Sequence, residues 1–131
     1  MFGNLAIVGW FGTGAGGSGT VTTINVDLTG NVTGIINLAG QSGNLIINVT
    51  TTDANKTVNG FINATLVDGI VLRPDATLAP LTTNDAITSG NPTIKLNAPT
   101  LPVYGNFKGF LQLEKRGTVF YQIDYIDQYN S

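Results

Sequence analysis

The chain has 131 residues, carries a net charge of -2, and contains neither His nor Cys. Only 11% of its residues are charged, against about a quarter in ordinary soluble domains, and Asp27 is the sole charged residue among the first 52. Without a basic stripe to neutralise phosphates the composition argues against nucleic-acid binding, and without Cys it excludes a disulfide framework and a thiolate zinc site.

Thr, Asn and 17 Gly supply the polarity instead. Charge repulsion is what keeps most small domains apart in solution. Its scarcity points to a chain that works packed against other copies of itself or a larger particle. At this length one domain is expected, burying roughly two-thirds of its unfolded surface.

Residues 1–11 (MFGNLAIVGWF) are apolar but lack the Lys or Arg that opens a secretory signal. The run is far shorter than the ~20 residues of a membrane span. Cytoplasmic synthesis followed by assembly is therefore the expected history. Residues 11–20 (FGTGAGGSGT) read as a flexible, glycine-rich tether. Joined to it, Leu5, Ile7, Val8, Trp10 and Phe11 read as an assembly arm that could add as a strand to a neighbour's sheet. The alternative is a first strand of the chain's own sheet followed by a loose loop.

From residue 21 onward apolar residues recur at period two, the signal of half-buried strands. Ile24, Val26 and Leu28 alternate with Thr23, Asn25 and Asp27. Leu45, Ile47 and Val49 repeat the pattern, as do Ile62, Ala64 and Leu66 against Phe61, Asn63 and Thr65. Residues 73–102 contain all five prolines and read mainly as a long loop, with one edge strand near Thr93 to Leu96. Phe107, Leu111 and Leu113 then alternate with Lys108 and Gln112. Val119, Tyr121, Ile123 and Tyr125 share a further face, which suggests core packing for both tyrosines. Between these runs Glu114-Lys115-Arg116-Gly117 predicts a hairpin turn, with Gly supplying positive φ. Seven to nine short strands and no helical stripe predict an all-β, antiparallel β-sandwich, immunoglobulin-like or jelly-roll-like. The expected organisation is an arm and tether over residues 1–20 and a sandwich over residues 21–131, with the proline-containing loop at 73–102.

The chemistry-bearing patterns are thin. Gly12-x-Gly14-x-x-Gly17 matches a dinucleotide fingerprint, but a strand follows where the mechanism needs a helix N-terminus. Ser-His-Asp and Cys-His arrangements cannot be built. A glycosidase needs only two carboxylates, yet the eight acids fall singly at turns and strand edges. Asp53-x-Asn55-x-Thr57 opens like a calcium loop, but Val58 stands where Gly is required and Ala64 where the bidentate Glu belongs. No catalytic, metal or cofactor-binding residue is called. Asn31, Asn48, Asn55 and Asn63 each open an Asn-x-Thr sequon, which permits glycosylation without arguing for it. Tyr104 and Tyr129 are candidate partner contacts.

Asp27-Leu28-Thr29-Gly30, Asn59-Gly60-Phe61-Ile62 and Pro102-Val103-Tyr104-Gly105, in that order, resemble motifs of immunoglobulin-type domains in tailed-phage baseplate upper, tail-fibre and neck proteins. The resemblance spans about residues 21–127 and rests on short turn motifs; the last reads PVYG where the family has a "PG-x-Y" entry. It implies an immunoglobulin-type fold and a virion structural role, with no catalytic residues to carry over. The expected function is thus a non-enzymatic virion protein. It would be a bacteriophage capsid-decoration, cement, tail, neck or baseplate subunit, partnered by other virion proteins and by copies of itself, a trimer among the options. The alternatives are an extracellular filament or surface-layer subunit using donor-strand exchange, and a carbohydrate-binding module.

Overall fold

The computed structural model describes residues 21–75, 81–84, 93–103 and 109–126. Among them the secondary structure is entirely β. In chain order the strands are β1 (Val21–Asp27), β2 (Ile35–Asn37), β3 (Gly43–Thr50), β4 (Thr57–Val58), β5 (Gly60–Ile62) and β6 (Val67–Pro74). They continue as β7 (Leu81–Asn84), β8 (Thr93–Lys95), β9 (Thr100–Val103), β10 (Phe110–Arg116) and β11 (Val119–Ile126).

Their pairing overturns the antiparallel sandwich in both its immunoglobulin-like and jelly-roll-like forms. β1, β3 and β6 lie side by side and parallel. β2 is parallel to β5 and β4 to β7. Val21 lies opposite Asn44 and Leu45 opposite Ile70, so one rung takes 44 − 21 = 23 residues and the next 70 − 45 = 25. The chain winds through its faces and stacks each rung on the one before, which is a β-solenoid. Period-two alternation identifies strands but does not say which strands pair. Parallel neighbours need a crossover of a dozen or more residues, and here the other faces of the rung supply it.

Stacking in register puts like residues over like. Ile24, Ile47 and Leu72 form one inward row, extended by Leu111; Val26, Val49 and Pro74 form another. On a second face Ile36 stacks on Phe61. A single rung cannot close a core, so each rung buries its neighbour's apolar side. Full burial of each Leu or Ile contributes about 1.5–3 kcal/mol.

The rungs end in a reversal. β9 runs antiparallel to β7, and β10 antiparallel to β6. β11 then returns antiparallel to β10 and parallel to β8, so the β10–β11 hairpin bridges β6 to β8 within one six-stranded sheet. The hairpin lies where the charged loop predicts it, with Gly117 at φ 67° in its turn. Lys115 Nζ fastens it by donating to the carbonyls of Ala64 (3.0 Å) and Thr65 (2.6 Å). The stretch 73–102 holds the end of β6, then β7, β8 and most of β9; β8 is an edge strand. Pro102 is tolerated because β9 is itself an edge, where a missing N–H breaks no ladder.

Two face assignments are corrected. Gln112 pairs with Asp124 but Leu113 pairs with Gln122, so Ile123 is the extra residue of a β-bulge. The bulge reverses the alternation. Phe120 points into the core, Tyr121 and Ile123 are exposed, and Tyr125 packs against the core. Earlier, Phe61 is buried and Leu66 is exposed, the reverse of their expected faces. Asn63 there adopts φ 57° and turns the corner, which ends the strand's alternation at Ile62.

Candidate functional site

The expected arm residues Leu5, Ile7, Val8, Trp10 and Phe11 lie outside the described residues, as do Tyr104 and Tyr129. Among the acids and sequon asparagines of the rungs, some brace their own turns and others, Asp53, Asn48 and Asn63, tie one rung to the next. Asp27 Oδ1 accepts the Thr29 N–H at 2.9 Å. That bond, with the Thr29 hydroxyl adding to it, holds the Asp27 carboxyl below its ordinary value. Asp53 Oδ2 meets Lys56 Nζ at 2.9 Å and accepts the Gly30 N–H at 2.8 Å. Lys56 first, then Gly30, lowers its carboxyl too. Thr52 N donates to Thr29 Oγ1 at 3.0 Å beside them. These groups close the corner where rung one meets rung two, a structural use of carboxylates rather than an acid–base pair. Among the described residues no group of three His, Cys, Asp or Glu could hold a metal ion.

The sequon asparagines do similar work. Asn31 Oδ1 accepts the N–H groups of Thr33 and Gly34, and its Nδ2 donates to Ile35 O. Asn63 Nδ2 donates to Asn37 Oδ1 at 2.9 Å. Asn48 Nδ2 donates to Asn25 Oδ1 at 3.4 Å, while Arg73 Nε donates to Asn48 Oδ1 at 3.1 Å. A glycan on Asn31, Asn48 or Asn63 would compete with these bonds, so the structure gives three of the four sequons a use of their own.

The feature that remains open is the edge of the first rung. Among the described residues β1 pairs only with β3. Along the inward rows, Ile24 and Val26 stay half-buried. Ile47 and Val49, their counterparts one rung on, are 0% and 1% exposed. Thr22 is exposed while Leu45, Ile70 and Leu113 of its row are buried. The Leu28 N–H reaches Thr50 O at 2.8 Å, so the even-numbered residues of β1 turn their main-chain groups toward β3. Thr23, Asn25 and Asp27 turn theirs outward, as strand alternation requires. The edge therefore presents main-chain donors and acceptors beside a half-covered apolar row, the arrangement that templates another strand.

The sequence carries a signal of this architecture that strand periodicity alone does not use. Ile24-Asn25-Val26 recurs as Ile47-Asn48-Val49 after 23 residues, in the register of the β1–β3 pairing, and Gly34-Ile35-Ile36-Asn37 recurs as Gly60-Phe61-Ile62-Asn63 after 26, one residue longer than the β2–β5 register. Self-similarity at 20–50 residues is the mark of stacked repeats. No family model, no curated protein and no solved structure matches the chain, so the reading of this site rests on its own geometry.

Proposed function

We propose that the chain is a non-enzymatic structural subunit of a virion, assembled through apolar contacts and strand addition rather than through charge. The observation that carries the assembly reading is the gradient of burial along the inward rows, from half-buried Ile24 and Val26 to buried Ile47 and Val49. A rung left in that state is completed by another strand. The bridging hairpin at the other end argues against indefinite head-to-tail stacking, which disfavours a filament. The immunoglobulin-type fold implied by the motif resemblance is absent, so the virion placement rests on composition: a chain with one charge in its first 52 residues suits burial in a large assembly.

The test is gold-labelled antibody against the chain on particles purified from the source culture. Labelling at discrete sites on the particles supports the proposal; chain found only outside the particle fraction overturns it. Washing with salt separates the forces. Raising salt from ~0.1 M to ~1 M shortens the screening length from about 10 Å to about 3 Å. The chain should stay on the particle through that wash.

A further inference from the structure

We infer that the edge of β1 left without a partner among the described residues pairs with β1 of a second copy, antiparallel, about a twofold axis at Ile24. The inference rests on the structural-subunit reading above and names its partner. A strand edge that meets its own copy is isologous, and such contacts close at two.

Three features bear on this pairing. First, antiparallel partners that sit directly opposite lie on the same face and, in alternate pairs, exchange both main-chain bonds. Only the odd-numbered residues of β1 turn their main-chain groups outward, so odd must meet odd. With Ile24 at the centre, Thr23 meets the second copy's Asn25, and Val21 meets its Asp27. That is also the register that pairs all seven residues of Val21–Asp27.

Second, the same register puts Ile24 opposite its copy and Thr22 opposite Val26. Every inward residue then meets an inward one, and the two half-covered apolar rows merge into one buried row. A slip by one residue would break both the bonding pattern and the facing.

Third, the sequence of β1 itself is poor in the devices natural edge strands use to prevent pairing. There is no Lys, Pro or bulge in β1. Its single charge, Asp27, lies at the strand end, far from its own copy. On the outward face the Asn25–Asn48–Arg73 ladder donates stepwise toward the edge. It ends with the Asn25 amide facing the position of the second copy's Thr23.

The test uses the full chain and outward positions only, so that the core is untouched. Size-exclusion chromatography with light scattering should give the wild type twice the 13.7 kDa chain mass. The double variant Thr23→Lys with Asn25→Lys sets like charges opposite each other across the axis and should elute as a 13.7 kDa monomer. Thr23→Lys with Asn25→Glu sets opposite charges there and should restore the dimer. A wild-type chain that stays monomeric at every concentration overturns the pairing, and self-association with it. An oligomer that survives the double lysine variant but is lost on deleting residues 1–19 also overturns the pairing. It would assign assembly to the N-terminal segment and leave the structural-subunit reading standing.

Discussion

Phe61 of the second rung and Phe120 of the bridging hairpin meet edge to face, their ring centroids 5.5 Å apart and their planes at 65°. Both are fully buried. The contact joins a stacked rung to the antiparallel closure that ends it, so it is where winding and capping are coupled. Lys115 lies over the same Phe120 ring, 6.0 Å from its centroid, while its ammonium holds the Ala64 and Thr65 carbonyls.

Phe120→Ala should cost about 3–5 kcal/mol through the cavity it opens. Phe120→Leu, which keeps most of the volume, should cost under about 1.5 kcal/mol. Urea denaturation measures both. Hydrogen exchange should show β10 and β11 losing protection before β3 and β6. Equal loss in every strand would mean that the hairpin is not a separate closing unit.

Gly34 and Gly30 form a matched pair of glycines. Both have positive φ, 69° and 77°. A Cβ on Gly34 would run into Thr57 O and the Asn59 side chain, whereas one on Gly30 would meet nothing within 4 Å. Gly30→Ala should therefore cost only the left-handed backbone term, about 1–2 kcal/mol. Gly34→Ala adds a collision with backbone in the next rung and should cost at least ~1 kcal/mol more. It also disturbs the 2.7 Å bond from Asn59 N to Gly34 O. Comparing the two denaturation midpoints checks the claim, and equal costs would contradict the close approach.

Thr83 is fully buried in β7 between Val58 and Leu101, and its hydroxyl has no hydrogen-bond partner among the described residues. An unpaired buried hydroxyl costs about 1–3 kcal/mol. Thr83→Val should stabilise the fold by roughly 1 kcal/mol, seen as a higher urea midpoint with unchanged slope. A destabilised variant would show that the hydroxyl is satisfied in solution.

The first corner sets the response to acid. The carboxyls of Asp27 and Asp53 both titrate lower in the fold than in the unfolded chain. Their contribution is thus complete above the unfolded value of about 4. It is lost as pH falls through the lowered folded values. The denaturation midpoint should hold between pH 7 and pH 5 and drop below about pH 4. Asp53→Asn keeps an acceptor for Gly30 but loses the Lys56 ion pair, and should flatten that drop. An unchanged acid profile in the variant would remove Asp53 from the account.

Much was legible locally. The all-β class follows from alternation with no helical stripe, and Glu114-Lys115-Arg116-Gly117 specifies its own turn because only a few conformations reverse two strands in so short a span. The inward faces of β1 and β3 follow for the same reason. The alternation misleads where one residue breaks the period: the Ile123 bulge turns Tyr121 outward and Tyr125 inward, and Asn63 turns a corner that a strand pattern carries straight through.

The division between sequence and fold has a physical basis. Hydrophobic period and turn chemistry are properties of neighbouring residues, so the sequence by itself determined the strand class and the closing hairpin. The parallel strand partners are chosen by contacts some 23 to 26 residues apart. The Ile-Asn-Val pair marks that spacing in the sequence, and the Gly-x-Ile-Asn pair falls one residue off the register of its strands. Only the tertiary structure decided that β1 lies parallel to β3, that Asn48 bridges Asn25 to Arg73, and that among the described residues β1 has a strand on one side alone.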